Sequence, residues 1–167
     1  MKKVLVIYYS QSGSTELIAS KIAETLEADI CALELEKEFK YKGFLKYVMG
    51  GFQVMMKQVP PIKPLDKSPK DYDLIFIGTP MWNRGVTPAV RTLLQQIKGL
   101  NKKIYFFYTQ KGNSKKLNDT VKELIEPGNI LAGVLSFRNV KENVANRLMA
   151  AEKWATTIID EAYGKKD

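Results

Sequence analysis

Short apolar runs alternate with amphipathic stretches along this chain, and that alternation restricts its fold more than any other feature. Residues 4–9, 29–35, 73–78, 103–108 and 130–137 are brief, rich in β-branched and aromatic side chains, and bounded by polar or glycine punctuation, so they read as strands. Between them lie helical patterns. Ile18, Ile22 and Leu26 share one face, with Ala19 and Ala23 beside them. Val90, Leu93, Leu94 and Ile97 form a second stripe, opened by Thr87-Pro88 and closed by Gly99. Leu117, Val121, Leu124 and Ile125 form a third, which ends at Pro127-Gly128. Asn139 with Glu142 resembles a capping box for a last helix along Val140, Val144, Leu148, Ala151, Ala155, Ile158 and Ala162, with Trp154 packed at its border. Strand–helix alternation implies a parallel sheet with right-handed crossovers and helices on both faces. Five strands in 167 residues fit a single α/β domain, residues 1–167, with a doubly wound sheet in the order 2-1-3-4-5.

In such a sheet, ligands bind beyond the carboxyl ends of the strands, where the strand order reverses. Three connections therefore matter. The first is Ser10, Gln11, Ser12, Gly13, Ser14 and Thr15, which joins a strand to a helix. It has four hydroxyls and a glycine but no lysine, in a chain with 26 Lys and Arg. A helix N-terminus already presents free N–H groups and a partial positive charge, so hydroxyls and a permissive glycine suffice to wrap a phosphate. The second is Thr79, Pro80, Met81, Trp82, Asn83, Arg84 and Gly85, read as a loop that offers a tryptophan face to a flat ring. The third is Thr109, Gln110, Lys111, Gly112 and Asn113, whose donors could reach the other edge of such a ring. A phosphate cradle facing an aromatic plane suits FMN.

Other phosphate sites fit poorly. GxxxxGK[ST] and GxGxxG are both absent, as are acidic residues after the first strand and a cysteine nucleophile in the first loop. The segment YYSQSGSTE is instead similar to the strand and (S/T)-x-(S/T)-G-x-(S/T) loop of the flavodoxin-like FMN-protein family. DYDLIFIGTPMWNRGVTPAVRTLL resembles that family's second ligand segment. The resemblance implies that Ser10 to Thr15 hold the FMN phosphate and that Pro80, Met81, Trp82 and Asn83 line the flavin. It also implies electron transfer between redox partners, with an NAD(P)H-dependent FMN or quinone reductase as the alternative on the same fold. The third loop departs from the pattern: it carries Lys111 and lacks the acidic residue and tyrosine of familiar carriers.

The net charge is +8, whereas the familiar carriers are acidic. It predicts redox partners with acidic docking surfaces. No nucleic-acid module is recognisable. No apolar run is long enough to span a bilayer, and the expected location is the cytoplasm. A single cysteine, Cys31, and no histidine leave no Cys/His metal site and no histidine base. Cys31 reads as a small core residue within a strand. Residues 39–70 are lysine-rich, and residues 43–57 read as an amphipathic helix that replaces an ordinary crossover. That helix is expected to pack on the sheet with a solvated lysine face, with a partner or lid surface as the alternative.

Overall fold

A computed structural model describes residues 3–37, 44–111 and 116–164. Strand β1 (Val4–Tyr8) is buried along its whole length. Its side chains alternate between two cores. Leu5 and Ile7 join one, and Val4, Val6 and Tyr8 the other. An apolar run without polar alternation is what a strand needs when helices cover both faces. Helix α1 (Ser14–Leu26) seals the second core with Ile18, Ala19 and Ile22. Strand β2 (Asp29–Ala32) lies parallel to β1. Helix α2 (Phe44–Met55) follows, then β3 (Leu74–Trp82), β4 (Gly85–Val86), α3 (Pro88–Gln96), β5 (Lys103–Gln110), α4 (Lys116–Ile125), β6 (Ile130–Arg138) and α5 (Val144–Tyr163). The sheet order is β2-β1-β3-β5-β6, with β4 paired only to β3. The five parallel strands are those read from sequence, in the order expected. Helices α3 and α4 cover one face, and α1 and α5 the other.

Several boundaries differ from the sequence reading, each for a tertiary reason. The second strand stops at Ala32 rather than residue 35, because β1 ends at Tyr8. The Leu33 amide still donates to the Tyr8 carbonyl at 2.7 Å, but Leu35 turns away to pair with Ile62. The third strand continues to Trp82, because β4 folds back to pair Met81 with Val86 and Trp82 with Gly85. Thr87 and Pro88 do open α3, but the Thr87 hydroxyl bonds Thr79 Oγ1 at 2.8 Å instead of capping the helix. The capping box at Asn139 does not form. Asn139 is left-handed (φ 49°), residues Val140–Glu142 make a 3-10 turn, and α5 begins only at Val144. The Asn139 amide donates to the Gln110 carbonyl at 3.0 Å, which ties this turn to the end of β5.

Cys31 is a buried core residue of β2, as expected, and its Sγ donates to Asp66 Oδ1 at 3.0 Å. Burial, reinforced by the Asp66 carboxylate, pushes the thiol from an ordinary value near 9.0 up to about 12. The unfolded thiol therefore ionises first as pH rises. Its contribution to stability is intact below pH 9.0 and is lost as pH climbs toward 12. Tyr72, raised likewise to about 12 by burial and its bond to Asp29, loses its contribution above an ordinary value of 10.0. Replacing Cys31 with alanine should thus remove part of the alkaline fall in Tm across a pH series, and an unchanged slope would contradict this. A thiol reagent at about pH 8 should label the folded protein slowly and the denatured chain at once.

The expected 43–57 helix appears as α2, with Gly43 outside the described residues. Val54 is buried against the Gly85 backbone and anchors the helix to the β3–β4 hairpin. Val48, Phe52, Met55 and Met56 are exposed, as is Val59 just beyond the helix. Positions 48, 52, 55 and 56 share one helical face, so one exposed face of this helix is apolar. Lys40 and Lys42 lie outside the described residues, and so do Phe39 and the side chains of Phe44, Lys46 and Tyr47.

Candidate functional site

Where β1 ends, the chain must turn sharply from strand into helix. Gly13 makes that turn with φ +86°, a region that side chains other than glycine rarely adopt, and the space beside its Cα is open. The Gly13 amide donates to Ser10 Oγ at 3.1 Å, which closes the turn. Gly13 is also the N-cap of α1, with no side-chain cap bond. The first-turn N–H groups therefore keep their partial positive charge for a ligand. Ser12 and Ser14 stand beside them and line a cavity of about 710 Å³. Thr15 plays a different part. It is buried, and its hydroxyl shares a 2.9 Å hydrogen bond with Thr109 Oγ1 on β5. That bond fixes the start of α1 to the sheet across the switch point.

The opposite wall comes from the β3–β4 hairpin. Residues Asn83 and Arg84 both have positive φ (43° and 59°), the geometry of a two-residue type I′ turn. The hairpin makes residues 79–85 two paired strands and a tight turn, where the sequence reading had a loop. A rigid strand therefore holds Pro80, Met81 and Trp82 along the cavity. The Tyr9 ring meets Trp82 edge to face, with centroids 5.8 Å apart and planes at 80°. Trp82 remains half-buried, braced on one side and facing the cavity on the other.

The third side is the end of β5, with Thr109, Gln110 and Lys111 all lining the cavity. Gly112 and Asn113 lie outside the described residues. A fourth side was missed in the sequence: Asn139, Val140, Lys141 and Glu142, just after β6. The rule that directs attention to strand carboxyl ends applies to that strand too, but the apparent capping box disguised it. Of the residues expected to bind, Gln11, Ser12, Ser14, Pro80, Met81, Trp82, Thr109, Gln110 and Lys111 meet at the cavity. Ser10 and Gly13 shape the turn, and Thr15 and Thr79 are tied into the scaffold by their hydroxyls. Asn83 and Arg84 form the hairpin tip, and Gly85 lies under Val54.

The polar groups of this cavity suit a ligand that carries an anionic group. Gln11 Nε2 is a buried donor with no partner in the protein, next to the uncapped helix start. An unmet buried donor there costs about 1–3 kcal/mol unless a ligand accepts from it. Lys111 and Lys141 outnumber Glu142 among the charged lining residues, so an anion is favoured at the rim as well. Trp82 offers a flat apolar surface to the same cavity that Ser12 and Ser14 line. Among the described residues there is no group of His, Cys, Asp and Glu that could hold a metal ion, and no helix long and apolar enough to cross a membrane.

Comparison with known proteins agrees with this architecture. A family profile described as flavodoxin matches residues 3–148. The solved structure of a flavoprotein from Lactobacillus acidophilus in complex with FMN is similar over 87% of this chain and 98% of its own, with 28% identity and a TM-score of 0.71. The apo form of the flavoprotein from Lactobacillus acidophilus, determined by NMR, is 28% identical over 86% of this chain and 97% of its own, with a TM-score of 0.66. Oxidised flavodoxin 2 from Bacillus cereus shares the fold at 18% identity, covering 95% of this chain and 99% of that one, with a TM-score of 0.58. With its sheet order and a family match over most of its length, this chain belongs to the flavodoxin family.

Proposed function

We propose that the protein is a cytoplasmic, FMN-dependent electron carrier that moves one or two electrons between protein partners. One observation carries this reading: an uncapped helix start with hydroxyls and the Trp82 plane face the same cavity, as a phosphate and a flavin ring require. The FMN complex of the Lactobacillus acidophilus flavoprotein supports the choice of ligand. When bound, FMN supplies the redox chemistry. The protein's residues do the rest. Ser12, Ser14 and the first-turn amides of α1 hold the phosphate, while Gln11 donates its free amide there. Trp82 and Met81 cover one face of the ring and exclude water from it. Lys111 and Lys141 place positive charge near the rim. The net charge of +8 directs the carrier to partners with acidic surfaces.

The test is a fluorescence titration of cofactor-stripped protein with FMN and with riboflavin, which lacks the phosphate. FMN should bind at least about tenfold more tightly, since hydrogen bonds to a charged group contribute about 1.5–3 kcal/mol each. Equal affinities would remove the phosphate from Ser10–Thr15, and no binding of either would end the flavin reading. A carrier, unlike a reductase, should not oxidise NADH or NADPH when assayed alone with an artificial acceptor.

A further inference from the structure

Helix α2 is apolar almost all round: of its twelve residues only Lys46, Tyr47 and Gln53 carry a polar group. A helix of that composition is ordinarily buried on every side. Here Val54 is buried against Gly85 of the β3–β4 hairpin, yet Phe52 is 47% exposed and Met55 61%. Val48 and Met56 are exposed beside them, and Val59 just beyond. Among the described residues, five of the ten exposed large apolar side chains thus fall between positions 48 and 59. A cluster of this kind marks a surface that meets another apolar phase. The stretch around it is cationic. Residues 39–65 contain five lysines and no Asp or Glu. Lys63 reaches outside the stretch to Glu34 at 2.6 Å, whereas Lys57, next to the apolar face, is exposed.

We infer that this face of α2 rests on an anionic membrane surface, with Val48, Phe52, Met55 and Met56 entering the boundary between headgroups and acyl chains. Charge and chemistry select this occupant. A second copy of the chain would bring lysine against lysine. A protein partner needs polar anchors, about one hydrogen bond per 100–200 Å² of interface, and positions 48, 52, 55 and 56 offer none. A lipid surface requires neither hydrogen bonds nor register. It takes the apolar side chains while lysines meet anionic headgroups. With twelve residues, α2 lies on the bilayer and does not cross it. The inference goes beyond the FMN reading and does not depend on it. Because Val54 fixes α2 to the hairpin that carries Trp82, docking holds that wall of the cavity one helix away from the lipid.

The experiment is co-sedimentation of the full chain with vesicles of phosphatidylglycerol and phosphatidylcholine in equal parts, and with phosphatidylcholine alone. The anionic vesicles should bind at least about tenfold more tightly, and added salt should weaken that binding. Phe52→Ser combined with Met55→Ser removes apolar contact and no charge. It should lower affinity for the anionic vesicles by about tenfold or more. Both side chains are exposed and lie outside the cavity, so the variant should melt and take up FMN as the parent does, which shows that it folds. As a second readout, Phe52→Trp should be quenched by lipids brominated along the acyl chain, beyond any quenching of the parent. No binding to anionic vesicles, equal binding to both kinds, or full affinity in the double serine variant would overturn the assignment. So would a concentration-dependent dimer that the serine substitutions abolish, which would give the face to a second copy.

Discussion

Replacing Ser14 with glutamate should weaken FMN binding by about a hundredfold, leave riboflavin binding within about twofold, and raise the stability of the cofactor-free protein. The three effects share one cause. Ser14 is the first residue of α1 and lines the cavity beside the uncapped amides. A carboxylate there satisfies the helix start in the free protein, for a gain of about 0.3–1 kcal/mol. The same charge then confronts the ligand phosphate. Two unit charges at about 4 Å repel by about 4 kcal/mol near a protein surface, so a hundredfold loss, about 2.7 kcal/mol, is a restrained expectation. Riboflavin has no phosphate and should not sense the change. Ser14→Gln separates charge from bulk and should cost FMN much less. The penalty in Ser14→Glu should also shrink as salt is added. Titration of both ligands, with a thermal melt of the free protein, checks every part. Parallel losses for FMN and riboflavin would mean that the ring, not the phosphate, lies at the helix start.

The second large effect concerns the strand that carries Trp82. Gly78 sits directly opposite Phe107 across β3 and β5, and the Phe107 ring lies over the glycine. A methyl group at this position would meet the ring at less than contact distance. Phe107 is fully buried, with the rings of Phe137 and Trp154 against it at 6.4 and 6.5 Å. The ring therefore has no free direction in which to yield. Gly78→Ala should destabilise the protein by about 1–3 kcal/mol, the usual cost of overpacking, and lower Tm by about 3–10 °C. Phe107→Leu vacates part of that space and carries a cost of its own. In the double variant the two losses should partly cancel, giving a coupling of about 0.5–3 kcal/mol. Strict additivity in denaturant melts would show that the ring relaxes elsewhere. Because Thr79 to Trp82 continue the same strand, Gly78→Ala should also weaken flavin binding, and Phe107→Leu should restore it in proportion to stability.

The sheet was readable from the sequence because its signals are local. The central runs, Val4–Tyr8 and residues 74–77, have no polar face and are buried between two layers of helices, while the edge strands β2 and β6 stay partly exposed. The strand order then places the ends of β1, β3 and β5 around one crevice. The turn from β1 into α1 was readable for the same reason. A glycine and four hydroxyls at a strand-to-helix turn carry their chemistry wherever the turn lies.

Other features depend on contacts between residues far apart in the chain, which no local pattern encodes. The Thr15 hydroxyl looked like another phosphate donor, but Thr109, 94 residues away, takes it into the scaffold. Residues 79–85 looked like a loop, and pairing with β4 made them a braced strand that holds Trp82 half-buried. Asn139 and Glu142 fit a capping box, yet the bond from Asn139 to Gln110 drew that turn to the cavity rim. Periodicity and turn chemistry, acting over a few residues, determined the elements, their order and the glycine turn that opens α1. Only the folded sheet decided which polar atoms are spent on one another and which, like Gln11 Nε2 and Gln110 Oε1, stay buried without a partner, because hydrogen-bond satisfaction in a buried site depends on neighbours that the chain brings together last.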